Sequence, residues 1–264
     1  MPRRSASGKG ATLALPARRR DPESMHAGEQ AAISLHVRPD GAREVHKRYH
    51  AAAGYLRERD ALLGLAEAAF EAAPTLLGHD DTSRTLRLSF VPGVSPAQLP
   101  PVARARAWAS VGAALALLPG LPPPGDPMPL ADAMARRARA WTDRLRTPLP
   151  PALAAVLADA DAFRGAERRL CHRDLRDDNV RVRPDGTVVL LDWGQARPDA
   201  EESDLCRLAR AAEDDEPGAA ADLAALCAGL GYDRHDTLRA RRLAFTVALE
   251  RVAAAVTATG PAPR

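Results

Sequence analysis

The sequence predicts an α+β chain of two unequal lobes, a small antiparallel sheet in residues 27–93 and a mainly helical body in residues 94–264. Hairpin signals cluster early in the chain and helical periodicity dominates the rest. One short hairpin interrupts the helices between two acidic motifs, HRDLRDDN and LLDWG. Residues 1–26 are basic and poor in large apolar groups, and read as a flexible tail. Their run ATLALPA is too short for the core of a signal peptide and meets Arg18, Arg19 and Arg20 at once.

The segment AAISLHV, the turn RPDG and the returning segment AREVHKRYH form the first hairpin. An Asp-Gly pair supplies the backbone that a tight turn needs. In GYLRERDALLGLAEAAF, Leu56, Leu62, Leu63, Leu65, Ala66, Ala69 and Phe70 fit one broad helical face. Residues 85–91 alternate as a strand and stop at Pro92-Gly93, which reads as the connector between lobes. Helices are expected over 102–118, 130–146, 153–163, 204–212, 219–230 and 237–258, with the Pro-rich LPPPGDP between the first two. Residues 180–182 and 187–191 flank the turn Arg183-Pro184-Asp185-Gly186 and form the interrupting hairpin.

That hairpin organises the chemistry. The only asparagine, Asn179, lies five residues after Asp174 in CHRDLRDDN and just before the first strand, whereas Asp192 of LLDWG lies just after the second. Both therefore come to the same end of the hairpin, where one Mg2+ could use an amide oxygen and a carboxylate, the hard donors it prefers. His-x-Asp with Asn at +5, followed by Asp-aromatic-Gly, is the order in which kinases set a base for an acceptor hydroxyl and two metal ligands. Asp174 is the expected base, His172 completes the catalytic motif, and Asn179 and Asp192 are the expected metal ligands.

The chain has two lysines, Lys9 and Lys47, against thirty-five arginines. A strand position that keeps lysine suits a compact, flexible charge on a phosphate. Glu58, early in the following helix, is the expected partner of Lys47, with Asp60 and Glu67 as alternatives. Phe90 and Val91, at the exit of the 85–91 strand, are candidates for an adenine pocket.

Together these residues resemble the aminoglycoside phosphotransferase and choline kinase-like family, small-molecule relatives of protein kinases. The resemblance runs from about Ala27 to the end and rests on Lys47, Glu58, FVPG, HRDLRDDN, LLDWG and Asp204-Leu205. It implies a protein-kinase-like fold, a five-stranded N-lobe over a helical C-lobe, with ATP and Mg2+ between them. By that similarity His172 braces the catalytic loop and Asp204 supports it from a helix start. Two features depart from the family pattern. Only Gly28 lies near the nucleotide-covering turn, and Arg173 stands where the small-molecule enzymes more often have glycine, as in protein kinases. A protein Ser/Thr kinase and a catalytically inactive nucleotide-binding relative are the alternative functions.

The net charge of +3 lacks an aromatic-interleaved basic stripe, so nucleic acid is not an expected partner, and no apolar run is long enough to span a membrane. Three dispersed cysteines, Cys171, Cys206 and Cys227, point to a reducing, cytoplasmic setting. The acceptor is expected to be a small hydroxylated molecule. Two acidic runs, at 199–204 and 213–216, would suit a cationic one, aminoglycoside-like or an amino alcohol.

Overall fold

The structure, a computed structural model, describes residues 23–27, 31–118 and 128–258, the first five by their backbone alone. The N-terminal lobe holds strands β1 (Glu23–Ala27), β2 (Ala31–Val37), β3 (Arg43–Tyr49), β4 (Leu76–Asp80) and β5 (Thr85–Ser89) in one sheet of order β1-β2-β3-β5-β4. Every pairing is antiparallel. Helix α1 (Ala52–Glu67) lies between β3 and β4 in the chain. β1 falls, but for Ala27, in the segment read from sequence as a tail, and β4 was not anticipated. Short strands with few β-branched residues, here ESMHA and LLGHD, carry little local signal.

The helical lobe contains α2 (Pro101–Ala116), α3 (Leu130–Thr142), α4 (Pro151–Ala158), α5 (Glu202–Glu213), α6 (Ala219–Leu230) and α7 (Thr237–Ala258). The expected 153–163 helix breaks at Asp159, after which residues 160–163 form a separate 3-10 turn. Strands β7 (Val180–Val182) and β8 (Val188–Leu190) form the expected hairpin, whereas β6 (Arg169–Cys171) pairs with β9 (Arg197–Asp199) in a ribbon absent from the sequence reading.

One buried cluster runs through both lobes, from Tyr55, Leu62, Leu65 and Leu86 to Trp108, Leu190, Trp193 and Leu226, and a second under α3, α4 and α7 is built on Met134, Phe163, Phe245 and Leu249. Large apolar groups buried at helical spacing give these helices most of their stability. Helices α2 and α6 touch backbone to backbone. A Cβ on Gly229 would lie 1.9 Å from the Ala109 carbonyl oxygen, and one on Gly112 2.2 Å from that of Leu226.

Two backbone ties join the sheet lobe and its connector to the hairpin. Leu190 N–H donates to the Ala72 carbonyl at 2.9 Å, and Val94 and Val182 exchange hydrogen bonds of 3.0 and 2.8 Å just after the connector Pro92-Gly93. Gly93 has φ +138°, and any side chain there would meet the Val182 carbonyl, so the connector lies flat on β7.

Candidate active site

Alternation along β3 puts Lys47 and Tyr49 on one face, toward α1 and the turn after β8. The Lys47 Nζ lies 2.9 Å from Glu58 Oε2 and 2.6 Å from Asp192 Oδ1. Lys47 and Glu58 are buried, whereas the Asp192 side chain is 41% exposed and opens to solvent. Burial would lower the Lys47 pKa, but the two carboxylates outweigh it and hold the group above the ordinary lysine value. Burial likewise pushes Asp192 up, and the Lys47 charge more than offsets this, leaving its carboxyl below the usual range. Both groups are therefore charged at neutral pH.

Glu58 does more than pair with lysine. Its second oxygen accepts the Trp193 backbone N–H at 3.0 Å, and the Tyr49 hydroxyl donates to its first. Arg57, the preceding residue, donates from Nε to the Gly194 carbonyl at 2.8 Å. Asp60 and Glu67 are exposed and take no part. The turn held in this way begins at Asp192, whose φ of +61° is left-handed and whose carboxylate accepts from Gly194 N at 3.4 Å. Such backbone is costly for a residue with a Cβ and persists where surrounding bonds enforce it.

The catalytic-motif loop follows β6. His172 is fully buried, donates from Nε2 to the Leu191 carbonyl at 2.8 Å and accepts Asp174 N–H on Nδ1 at 3.3 Å. Both ring nitrogens are thus used by a neutral imidazole, and burial lowers its pKa. His172 thus ties the Asp174 backbone to that of Leu191. Asn179 donates from Nδ2 to the Asp174 carbonyl at 2.9 Å and to Asp174 Oδ2 at 3.0 Å, while its backbone carbonyl accepts Leu191 N–H at 2.7 Å. The hairpin does bring the Asn179 and Asp192 ends together, since Leu191 directly precedes Asp192. Arg173 also has left-handed φ, +67°, with its N–H donated to Asp204 Oδ1 at 2.6 Å. Asp204, at the start of α5, is buried and its pKa is pushed up to about 7 by that burial.

Other expected residues fall differently. Gly28 lies outside the described residues. Phe90 and Val91 follow β5 rather than continue it. Phe90 stacks under the Arg43 guanidinium at 3.9 Å, and Val91 is buried. The acidic run at 199–204 is consumed by the protein itself. Buried Asp199 pairs with Arg137 and Arg173 at 2.9 Å and with Arg197 at 3.7 Å. Glu201 pairs with Arg169 at 2.6 Å, and Glu202 accepts the Tyr232 hydroxyl. In the second run Glu213 and Asp214 both meet Arg251. The basis for expecting a cationic acceptor is therefore weaker than the composition suggests.

Three participants escaped the sequence reading. Tyr49 could have been found from the period-2 rule two residues after Lys47. Arg57 and Arg207 had no such signal in a chain crowded with arginine. Arg207, on α5, lies 2.9 Å from Asp174 Oδ1, although no aligned hydrogen bond reaches that oxygen. The contact is an ion pair without hydrogen-bond directionality.

The profile of the phosphotransferase enzyme family, APH, matches residues 33–243. The chain belongs to that family. The phosphotransferase aligns with solved structures over nearly its full length. A macrolide 2'-phosphotransferase of type I shares 18% identity with a TM-score of 0.64, covering 92% of this chain and 91% of that one. An aminoglycoside phosphotransferase from Streptomyces rimosus, in complex with ADP and streptomycin, shares 23% identity with a TM-score of 0.58, covering 84% and 90%. An aminoglycoside-3'-phosphotransferase of type VIII shares 25% with a TM-score of 0.57, covering 87% and 91%. These likenesses establish the two-lobed, protein-kinase-like fold. No curated protein sequence matches the chain.

The three cysteines of the phosphotransferase are buried and free. Among the described residues no helix is long and apolar enough to cross a membrane.

Proposed function

We propose that the phosphotransferase moves the γ-phosphoryl group of ATP, with Mg2+, to a hydroxyl of a small molecule. The observation that carries this reading is Lys47, held between Glu58 of α1 and Asp192 of the LLDWG turn. A cation from the sheet and a carboxylate beside the catalytic loop are fixed against each other, which is what positioning a triphosphate requires.

The donor set fits magnesium. Among the described residues no group of three His, Cys, Asp or Glu side chains could hold a metal. One carboxylate, Asp192, and one amide, Asn179, suit an ion that keeps waters and takes its remaining ligands from phosphates. Asn179 spends its amide nitrogen on Asp174, which leaves its oxygen for such a role. When bound, the ion would neutralise charge on the β- and γ-phosphates.

The residues of the chain do the rest. Lys47, anchored by Glu58 beside Asp192, contacts phosphate oxygens. Asp174 orients the acceptor hydroxyl and takes its proton. The acceptor oxygen bonds to the γ-phosphorus, the bond from that phosphorus to the β–γ bridging oxygen breaks, and ADP leaves with that oxygen. His172, Asp204 and Tyr49 hold the loop, the helix start and Glu58 in register. The relatives named for macrolides and aminoglycosides, one of them bound to ADP and streptomycin, support a small-molecule alcohol as acceptor and an adenine nucleotide as donor.

The test is product detection by mass spectrometry with labelled ATP across amino alcohols, sugars, sugar acids, aminoglycosides and macrolides. Wild type should give Mg2+-dependent ADP and phosphorylated product, and folded Asp174→Ala and Asp192→Ala variants should give neither. Absence of any Mg2+-dependent stabilisation by ATP in thermal shift would end the proposal.

A further inference from the structure

We infer that the acceptor carries an oxyanion, a carboxylate or a phosphate, beside the hydroxyl that is phosphorylated. The inference rests on the reading of Asp174 as the base that receives that hydroxyl. An acceptor hydroxyl must come within hydrogen-bond reach of the Asp174 carboxylate. One of its oxygens is occupied by Asn179 at 3.0 Å, and the other lies 2.9 Å from Arg207. A molecule that reaches Asp174 therefore also meets the Arg207 guanidinium.

Arg207 does not stand alone. Arg176 Nε is 3.7 Å from Asp174 and its side chain is 53% exposed. Arg210, one turn further along α5, shares Glu250 with Arg207 at the loose distances of 4.0 and 3.9 Å. The Nε atoms of both Arg207 and Arg210 are buried and have no hydrogen-bond partner among the described residues. The Arg207 and Arg176 side chains are 37% and 53% exposed, and a planar oxyanion matches a guanidinium fork. Three arginines here face two carboxylates, Asp174 and Glu250, so the local balance is positive. The carboxylates that could have received a polycation, Asp199, Glu201 and Glu202, are already engaged by Arg137, Arg169, Arg173 and Tyr232. A polycationic acceptor would meet like charge at the base, and an anionic one would complete it.

In the reaction this anion only anchors. The new bond joins acceptor oxygen to γ-phosphorus, the hydroxyl proton passes to Asp174, and the carboxylate or phosphate stays unchanged on Arg207 and Arg176.

The experiment uses matched pairs differing by one anion, glucuronate or glucose 6-phosphate against glucose, with streptomycin and erythromycin as cationic probes. Binding to the full chain is measured by calorimetry with and without ADP and Mg2+, and turnover with labelled ATP. The expected result is that an anionic member binds at least about tenfold tighter than glucose, that added salt weakens it, and that Arg207→Gln abolishes the preference while Arg207→Lys retains part of it. Comparing glucuronate with glucose 6-phosphate separates carboxylate from phosphate recognition. If Arg207→Gln lowered turnover equally for every acceptor and raised the KM for ATP, the guanidinium would serve the nucleotide and the inference would fall. Equal or tighter binding of glucose or a cationic probe would overturn it too, as would no binding of either anion up to millimolar concentration. Absence of ATP turnover with the Arg207-dependent anion preference intact would count against the phosphotransfer reading and uphold only the oxyanion contact at Arg207.

Discussion

Glu58 Oε1 accepts the backbone N–H of Trp193 at 3.0 Å, so the carboxylate that pairs with Lys47 also holds the turn that presents Asp192. Helix position, lysine and acidic turn are thereby one unit. Glu58→Gln should keep the Trp193 contact but lose the charge. Glu58→Ala loses both and should cost about 3 kcal/mol of stability, the lower end for removing one partner of a buried pair because Lys47 retains Asp192. Urea unfolding of the two variants measures this, and equal stabilities would contradict the double role of Glu58.

Asn179 touches both the main chain and the carboxylate of Asp174. Asn179→Ala should raise the Mg2+ concentration for half-maximal turnover by at least the roughly 10- to 100-fold that losing an outer-shell partner of a metal ligand costs. A Mg2+ titration of initial rate reads it directly. An unchanged midpoint would remove Asn179 from the metal site.

Asp204 gives a pH dependence with a definite sign. Its folded pKa, about 7, lies above the ordinary value of 3.8. Between those values the folded chain keeps a proton that the unfolded chain has released. The contribution of Asp204 is therefore full below about pH 4 and is lost as pH rises through about 7. Buried His172 acts oppositely: its pKa is lowered from 6.5, so its contribution is present above that value and is lost as pH falls. Asp204→Asn isolates the first effect. Its Tm relative to wild type should climb steadily from about pH 4 to about pH 8 in thermal scans, and a flat difference would contradict the assignment.

The α2–α6 contact leaves no room for a methyl group at Gly229, where a Cβ would lie 1.9 Å from a backbone oxygen. Gly229→Ala gains helix propensity of about 1 kcal/mol, yet it should lose about 2 kcal/mol net because two backbones must separate. Gly64→Ala, in α1 with open space around it, is the control and should stabilise. Chemical denaturation of both decides between packing and propensity.

Much of this was legible in the primary structure for identifiable reasons. The β2–β3 hairpin, α6, α7 and the β7–β8 hairpin sit where turn chemistry and helical period put them, because each is specified by contacts close in the chain. Lys47 was legible through scarcity, since one of only two lysines stands out in an arginine-rich chain, and Glu58 through its place early in the following helix. The β6–β9 ribbon was not, because three-residue strands whose partners lie more than twenty residues apart have no local pattern. Nor were the acidic runs. Asp199 and Glu201, which the sequence offers to a cationic acceptor, turn out to be matched by Arg137, Arg173 and Arg169, which only the fold brings to them. Arg207 belongs to the same class, one guanidinium among many until α5 lays it against Asp174.

The ties from Ala72 to Leu190 and from Val94 to Val182 end on the same small hairpin, and the Glu58 contact ends on the turn that leaves it. That hairpin is thus an axle as well as a scaffold. If the cleft widens to admit nucleotide, the sheet must swivel around this axle, because pulling straight away would break all four hydrogen bonds at once. Asn179 enters the axle and Asp192 leaves it, so their spacing is the part of the molecule least altered by such a swing. Nucleotide exchange would then leave the two proposed metal ligands in place, with only the Lys47 side needing to return.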